Sequence, residues 1–288
     1  MGIECTFQFE PTRYLDPEDA AFVLNEIFER AVEITEDNYL KVWFQDQETE
    51  LLNLKTIELN QYGIELTAQI EIGDQNWTQK CPELFAPLQI ADLTICPVEG
   101  LETVTQKPEK DQIFIIPGTG FGTGHHPTTA MIIAMLQKLK TNQFKFGSNA
   151  NLALNQFLYV GTGGGFWAVI AEKVFNTAVD AIDNDDLALK NAFDNLELNG
   201  CTQIKLRHGS ISAATGPYEL ILANLYAELL VEFQAGLADL LAPGGLLIVS
   251  GIMQERHALV KSTFSESGWQ IITEESQGNW TAMQMIKG

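Results

Sequence analysis

The sequence predicts an α/β protein: a doubly wound, mostly parallel sheet with a C-terminal antiparallel hairpin, preceded by a small α+β region. Three observations predict it. From residue 113 onward, apolar strand-like runs ("QFLYV", "AVDAI", "LILANL", "GLLIVSG") alternate with helical patterns ("FWAVIAEKV", "DLALKNAFDNLELNG", "AELLVEFQAGLADLL"). Such alternation means parallel strands joined by right-handed crossovers. One of these strands runs straight into a glycine cluster and then a helix, "YVGTGGGFWAVIAEKV". The chain then closes on "GWQIITEES" and "WTAMQMI", two strand-length runs that read as a hairpin.

Residues 4–9 alternate weakly and read as a strand. In "DPEDAAFVLNEIFERAVEI", Asp16 suits an N-cap and Pro17 a first helical turn, and Ala21, Leu24, Ile27, Phe28 and Ala31 follow at helical spacing. "YLKVWF" (39–44) and "GIELTAQIEI" (63–72) read as strands. Four prolines (82, 87, 97, 108) punctuate the next stretch, in which "LQIADLTICP" contains a strand. The expected division is a small α+β region over 1–75, a linker over 76–112 and the main domain over 113–288. In "IPGTGFGTGHHPTTAMIIAML", Pro127 suits the first turn of a helix with Ala130, Met131, Met135 and Leu139 facing inward. "FKFGSNANLALN" (144–155) reads as an irregular insertion before the glycine strand.

Composition narrows the function. The formal charge is −21, so the surface repels nucleic-acid phosphates, whose binding needs clustered Lys and Arg. It suits a cationic partner, or serves solubility alone. No apolar run approaches the roughly 20 residues that span a bilayer, and the N-terminus lacks the basic and apolar regions of a secretory signal. Gly2 and Thr6 match a myristoylation pattern, but a strand entering a domain explains "ECTFQFE" better. Cys5, Cys81, Cys96 and Cys201 are scattered, which disfavours disulfides and zinc and makes a reducing cytoplasm the expectation.

Four features carry chemistry. Gly161, Gly163 and Gly165 form G-x-G-x-G at a strand-to-helix turn, short of the dinucleotide fingerprint because Phe166 stands where its last glycine would. The strand "TAVDAID" ends on Asp183 about 20 residues after the loop, where an acid accepts ribose hydroxyls. Asp185 or Asp186 can cap the next helix and leave Asp183 for a ligand. Gly118, Gly120, Gly122 and Gly124 make a second close-approach loop, followed by His125 and His126, which lack the further ligands a metal needs. Asn224 ends the apolar strand in "ILANLYAEL", where its amide offers one acceptor and two donors, or caps the following helix.

These four together resemble the PrmA-type methyltransferases that modify large-subunit ribosomal protein 11. "FGTGHHPTT" is similar to that family's F-G-T-G-T-H-P-T-T, and the resemblance continues through "VGTGGGFWAVIA", "AIDNDDLALKNAFDNLELNG", "LILANLYAEL", "APGGLLIVSGI" and "NWTAMQMIKG". It covers about residues 75–288. It implies a Rossmann-like class I methyltransferase that uses S-adenosyl-L-methionine, with the small N-terminal region recognising substrate. It implies that Thr129, Gly161, Gly163, Asp183 and Asn224 hold the cofactor, that Asn224 lies beside the transferable methyl, and that His126 and Tyr226 are adjacent to substrate. The implied activity is N-methylation of lysine or N-terminal amines on a basic ribosomal large-subunit protein in the cytoplasm, without a metal, direct nucleic-acid contact or a membrane.

The chain departs from the family at the loop. Tyr159 replaces an acid, Thr162 a cysteine, and Phe166 and Trp167 a small aliphatic pair; His125 replaces a threonine, and N-I-L-A reads Asn224-Leu225-Tyr226-Ala227. The aromatics are expected to narrow the methionine end of the pocket, or, for Phe166 and Trp167, to pack against the sheet. A cofactor-binding homologue with weakened turnover, or a methyltransferase for another protein or a small amine, are the alternatives.

Overall fold

The computed structural model describes residues 2–10, 13, 17–28, 32–35, 39–45, 52, 55–56, 59–72, 87–90, 92–98, 100–104, 106–109, 111–117, 126–140 and 154–288. Asp16, Ala31, Cys81, the glycines of 118–124, His125 and most of the 144–155 insertion lie outside these residues. The chain divides into two compact units, one of residues 1–84 with 117–121, the other of 85–116 with 122–288.

The first unit pairs β1 (Gly2–Phe9) with a helix, α1 (Pro17–Phe28), and with the strands β2 (Glu33–Ile34), β3 (Leu40–Gln45) and β4 (Ile64–Ile72). The sheet order is β2-β3-β1-β4, antiparallel throughout. Alternation in β1 buries Ile3, Cys5, Phe7 and Phe9, while α1 buries Ala20, Ala21, Leu24 and Phe28. Phe28 joins the layers, 5.6 Å from the Phe7 ring and 4.9 Å from that of Phe44.

The second unit opens with β5 (Leu88–Ile90), β6 (Leu93–Pro97) and β7 (Gln112–Ile115), so "LQIADLTICP" holds two strands where one was expected. Then follow α2 (Pro127–Lys140), β8 (Gln156–Val160), α3 (Phe166–Phe175), β9 (Ala178–Asp183), α4 (Asp186–Asn199) and β10 (Ile204–His208). The chain ends with β11 (Tyr218–Asn224), α5 (Ala227–Leu240), β12 (Leu241–Met253), α6 (Gln254–Glu266), β13 (Trp269–Gln277) and β14 (Trp280–Lys287). The seven-stranded sheet runs β10-β9-β8-β11-β12-β14-β13. Its first five strands are parallel and its last two form the expected antiparallel hairpin. On one face Leu158, Val160, Ile221, Ala223, Leu247, Val249, Met283 and Met285 form a core with α5 and α6. The alternate residues Tyr159, Leu222, Ile248 and Gln284 form one row across the other face.

Helix α2 corrects one expectation. Ala130 is exposed and Leu139 half-buried, while Thr129 and Ile133 are buried beside the central stripe Thr128, Met131, Ile132, Met135 and Leu136. That is the i, i+3, i+4, i+7, i+8 pattern begun one turn position earlier, with Thr128 in the inward place.

At the amino end of β11 a polar network ties three strands. The Tyr218 hydroxyl donates to Asp180 Oδ2 (2.7 Å), which also meets Arg207 (3.1 Å), and Thr215 N donates back to the hydroxyl (3.3 Å). Burial, reinforced by the bond to Asp180, raises the Tyr218 pKa and keeps the phenol a donor. Tyr218→Phe is expected to cost about 1.5–3 kcal/mol, the scale of a hydrogen bond to a charged group. Urea unfolding monitored by tryptophan fluorescence checks this; an unchanged midpoint would show the network to be idle.

Candidate functional site

The strand order reverses between β8 and β11. Val160, the last residue of β8, pairs with Ile182 of β9 on one side and Ala223 of β11 on the other. Carboxyl ends at such a reversal open into the crevice where α/β sheets take their ligands. The glycine loop springs from this point. The backbone N–H groups of Gly161 and Thr162 both donate to the Ile182 carbonyl (3.0 and 2.9 Å), which turns the chain tightly off the strand. Gly161 has φ +72°, and a Cβ there would lie 2.5 Å from Leu225 Cδ2. Gly165, at φ +78°, leaves no room for a Cβ against Ala192 (3.0 Å), so α3 can pack closely on α4. The bare backbone thus serves close approach at both ends of the loop.

Asp183 ends β9 and closes the turn. Its Oδ2 accepts from Gly163 N (2.8 Å) and its Oδ1 from Asp185 N (3.0 Å). Asp185 is the cap of α4, accepting from Leu187 N and Ala188 N. Asp183 is therefore not free in the sense the sequence suggested, because both oxygens already hold loop amides. A carboxylate has about four lone-pair sites, so two still remain for hydroxyls.

Asn224 ends β11, and its Oδ1 is buried without a hydrogen-bond partner among the described residues. It does not cap α5, whose N-cap is Tyr226 with no side-chain bond. Its register partner on β12 is Ser250, wholly buried, with an Oγ equally unpartnered among the described residues. Register partners in parallel strands point to the same face, so the two acceptors lie side by side on the face opposite the α5–α6 core. Thr162 Oγ1, buried in the loop, is a third. Buried polar atoms are nearly always paired. Among the described residues orphans also stand singly at Asn191, Arg207, Trp269 and Gln284, but these three gather around one strand reversal, where a polar ligand can meet them. Sequence reasoning missed Ser250. Its signal was a lone hydroxyl ending the apolar run "GLLIV", as Asn224 ends "LILA".

The remaining expected site residues fall elsewhere on the unit. Thr129 is buried in the first turn of α2, which packs on β12, β13 and β14. His126 precedes that helix, its ring edge-on to Trp280 of β14 at 4.7 Å. Its Nδ1 meets Thr128 Oγ1 (2.7 Å) and accepts from Thr128 N (3.3 Å), which assigns the neutral tautomer with hydrogen on Nε2. Tyr226 is exposed at the head of α5. Tyr159, Phe166 and Trp167 are all buried, and the last two pack edge to face at 5.0 Å. Among the described residues, no three His, Cys, Asp or Glu side chains gather as a metal site would require.

A strand, a glycine turn and an acid recur in several enzyme classes, and the match along the chain separates them. The family described as ribosomal protein L11 methyltransferase (PrmA) matches residues 9–288. The chain belongs to this family. The Geotalea daltonii ribosomal protein L11 methyltransferase is 33% identical over 216 residues, 74% of this chain and 68% of that protein. The Dictyoglomus turgidum one is 31% identical over 209 residues, 73% and 66%. The chain thus spans about two thirds of the length of these family members. A ribosomal protein L11 methylase from Lactobacillus delbrueckii subsp. bulgaricus superposes with a TM-score of 0.58 at 25% identity, over 71% of this chain and 98% of its own. The fold is that of the Rossmann-like class I methyltransferases.

Burial holds the His126 pKa down to about 3. An unfolded histidine titrates near 6.5, so below that pH the unfolded chain binds a proton that the folded one refuses. The stability His126 gives is therefore complete above pH 6.5 and is lost as the pH falls toward 3. At pH 5 the loss is about 2 kcal/mol. His126→Asn is expected to flatten the drop in unfolding free energy between pH 7 and pH 5 by about that amount. Equal drops in both proteins would show that the ring is hydrated.

Proposed function

We propose that the chain methylates amino groups of a protein substrate with S-adenosylmethionine, the substrate being ribosomal protein L11, as the names of its relatives indicate. The observation that carries this is the pair of unpartnered acceptors, Asn224 Oδ1 and Ser250 Oγ, beside the glycine turn. S-adenosylmethionine, when bound, supplies an electrophilic methyl on a sulfonium for in-line displacement. Asp183 would hold the ribose with its two remaining pairs of electrons, and Gly161 and Gly163 let backbone approach the methionine end. Thr129 and Thr162 are further polar groups for the cofactor.

The acceptor amine must arrive neutral and correctly aimed. Asn224 Oδ1 and Ser250 Oγ would accept its two N–H hydrogens. That would leave the lone pair as the one unbonded site and turn it outward. Two neutral acceptors at a buried site also disfavour a full ammonium, whose third hydrogen would lack a partner. The nitrogen's extra proton after transfer leaves to water. His126 and Tyr226 are assigned to the substrate side, and the first unit to substrate recognition.

The −21 formal charge suits a basic protein by steering it. No helix among the described residues is long and apolar enough to cross a membrane; a ribosomal protein substrate would place the reaction in the cytoplasm.

The second reading, a cofactor-binding homologue with weak turnover, is favoured by buried Tyr159, which brings no charge to the loop where the family carries an acid. Incubating the protein with unmodified L11 and labelled cofactor distinguishes the two. Methyl incorporation at amines is expected; cofactor binding without incorporation would select the second reading. Asp183→Ala is expected to weaken cofactor binding by about 1.5–3 kcal/mol by calorimetry. Asn224→Ala is expected to lower kcat far more than cofactor affinity; an equal loss in both would place Asn224 in ground-state binding alone.

A further inference from the structure

Helix α4 carries Asn191, Asn195 and Asn199, spaced four apart and therefore stacked along one face. Opposite them runs β7, which among the described residues pairs with β6 alone. Its other edge would expose unpaired peptide groups. The asparagines fill that edge. Asn199 Oδ1 accepts from Phe114 N (3.0 Å) and its Nδ2 donates to Phe114 O (2.7 Å). Asn195 treats Ile116 identically, accepting from N (2.7 Å) and donating to O (3.2 Å). Asn191 Nδ2 adds a bond to Ile116 O (3.3 Å). The spacing fits because four helical residues rise about 6 Å and two strand residues about 6.6 Å. Two carboxamides thus stand where a neighbouring strand's peptide groups would.

Asn195 does one thing more. Its Nδ2 also donates to the carbonyl of Gly164, in the glycine loop, at 2.8 Å. Both amide hydrogens and the oxygen are then committed, in a side chain with no exposure. We propose that Asn195 is a positioning residue for the glycine loop, and that through it cofactor affinity depends on the docking of β7. The affinity part rests on the cofactor reading above. Asn199 is the internal control. Its Nδ2 donates to Phe114 O and to the Asn195 carbonyl (2.8 Å), so it has the same number of bonds and the same strand to hold, but no bond to the loop.

Aspartate at either position keeps the acceptor and turns the donor toward two carbonyls as a second acceptor. Asn195→Asp and Asn199→Asp should therefore loosen β7 comparably, while only Asn195→Asp frees the loop. Amide hydrogen exchange of the full, cofactor-free chain reads this directly. The amides of Gly163 and Gly165 are expected to exchange about tenfold faster in Asn195→Asp and within about twofold of wild type in Asn199→Asp. Calorimetric titration with S-adenosylmethionine is expected to show about a tenfold higher Kd in Asn195→Asp alone. Equal acceleration in both variants, or none in Asn195→Asp, would overturn the proposal. If wild type binds no cofactor, the functional reading fails, while the exchange comparison still decides the role of Asn195 in the loop. Should an aspartate variant not fold, Asn195→Ser against Asn199→Ser gives the same comparison without the charge.

Discussion

Two loop amides converge on one carboxylate, and the site depends on that convergence. Asp183 takes Gly163 N on one oxygen and Asp185 N on the other, so a single side chain fixes the glycine turn after β8 and the start of α4 after β9. The adjacent backbone bonds to the Ile182 carbonyl finish the turn. Without them, four glycines in five residues would have many conformations to lose on binding. With them, the loop's cost of ordering is met at folding, before any ligand arrives.

Around that fixed turn three buried acceptors gather unpaired where the sheet opens, whereas the unpaired atoms elsewhere among the described residues, at Asn191, Arg207, Trp269 and Gln284, are scattered. Asn195 and Asn199 satisfy backbone groups of Ile116, just past β7, and of Phe114 within it, and Tyr218 and Arg207 satisfy Asp180. Asn224, Ser250 and Thr162 do not find partners among the described residues. Leaving a buried acceptor unmade costs about 1–3 kcal/mol, so such a group persists where something else compensates it. Here a polar ligand is the compensation the geometry allows, and the chain's family supplies its chemistry.

Much of this was legible in the sequence, for identifiable reasons. The strands β8, β9, β11 and β12 were plain because they are largely apolar runs buried in the sheet, whereas β10, the edge strand IKLRH, went unread because its polar residues break the run. Asp183 and Asn224 stood out as single polar residues ending such runs. Ser250 ends a run as well, but a serine before glycine also reads as an ordinary turn. The asparagine ladder of α4 was hidden because asparagines on a helix read as solvent-facing; only the edge of β7, distant in sequence, shows what they bond. Ala130 was misplaced because Thr128, a polar residue in the inward position, shifted the stripe. The packing of Phe166 against Trp167 agrees with the core alternative weighed for them. Tyr159, in contrast, lies in the row with Leu222, Ile248 and Gln284, a neighbourhood that pairing register reveals and sequence spacing does not.

The most direct measurement is a crystal structure of the protein grown with S-adenosylhomocysteine. The ribose hydroxyls are expected on Asp183 and the sulfur on the side of the loop that faces Asn224 and Ser250. A product molecule bound away from Asp183, or Asn224 and Ser250 both occupied by protein groups in that complex, would contradict this placement.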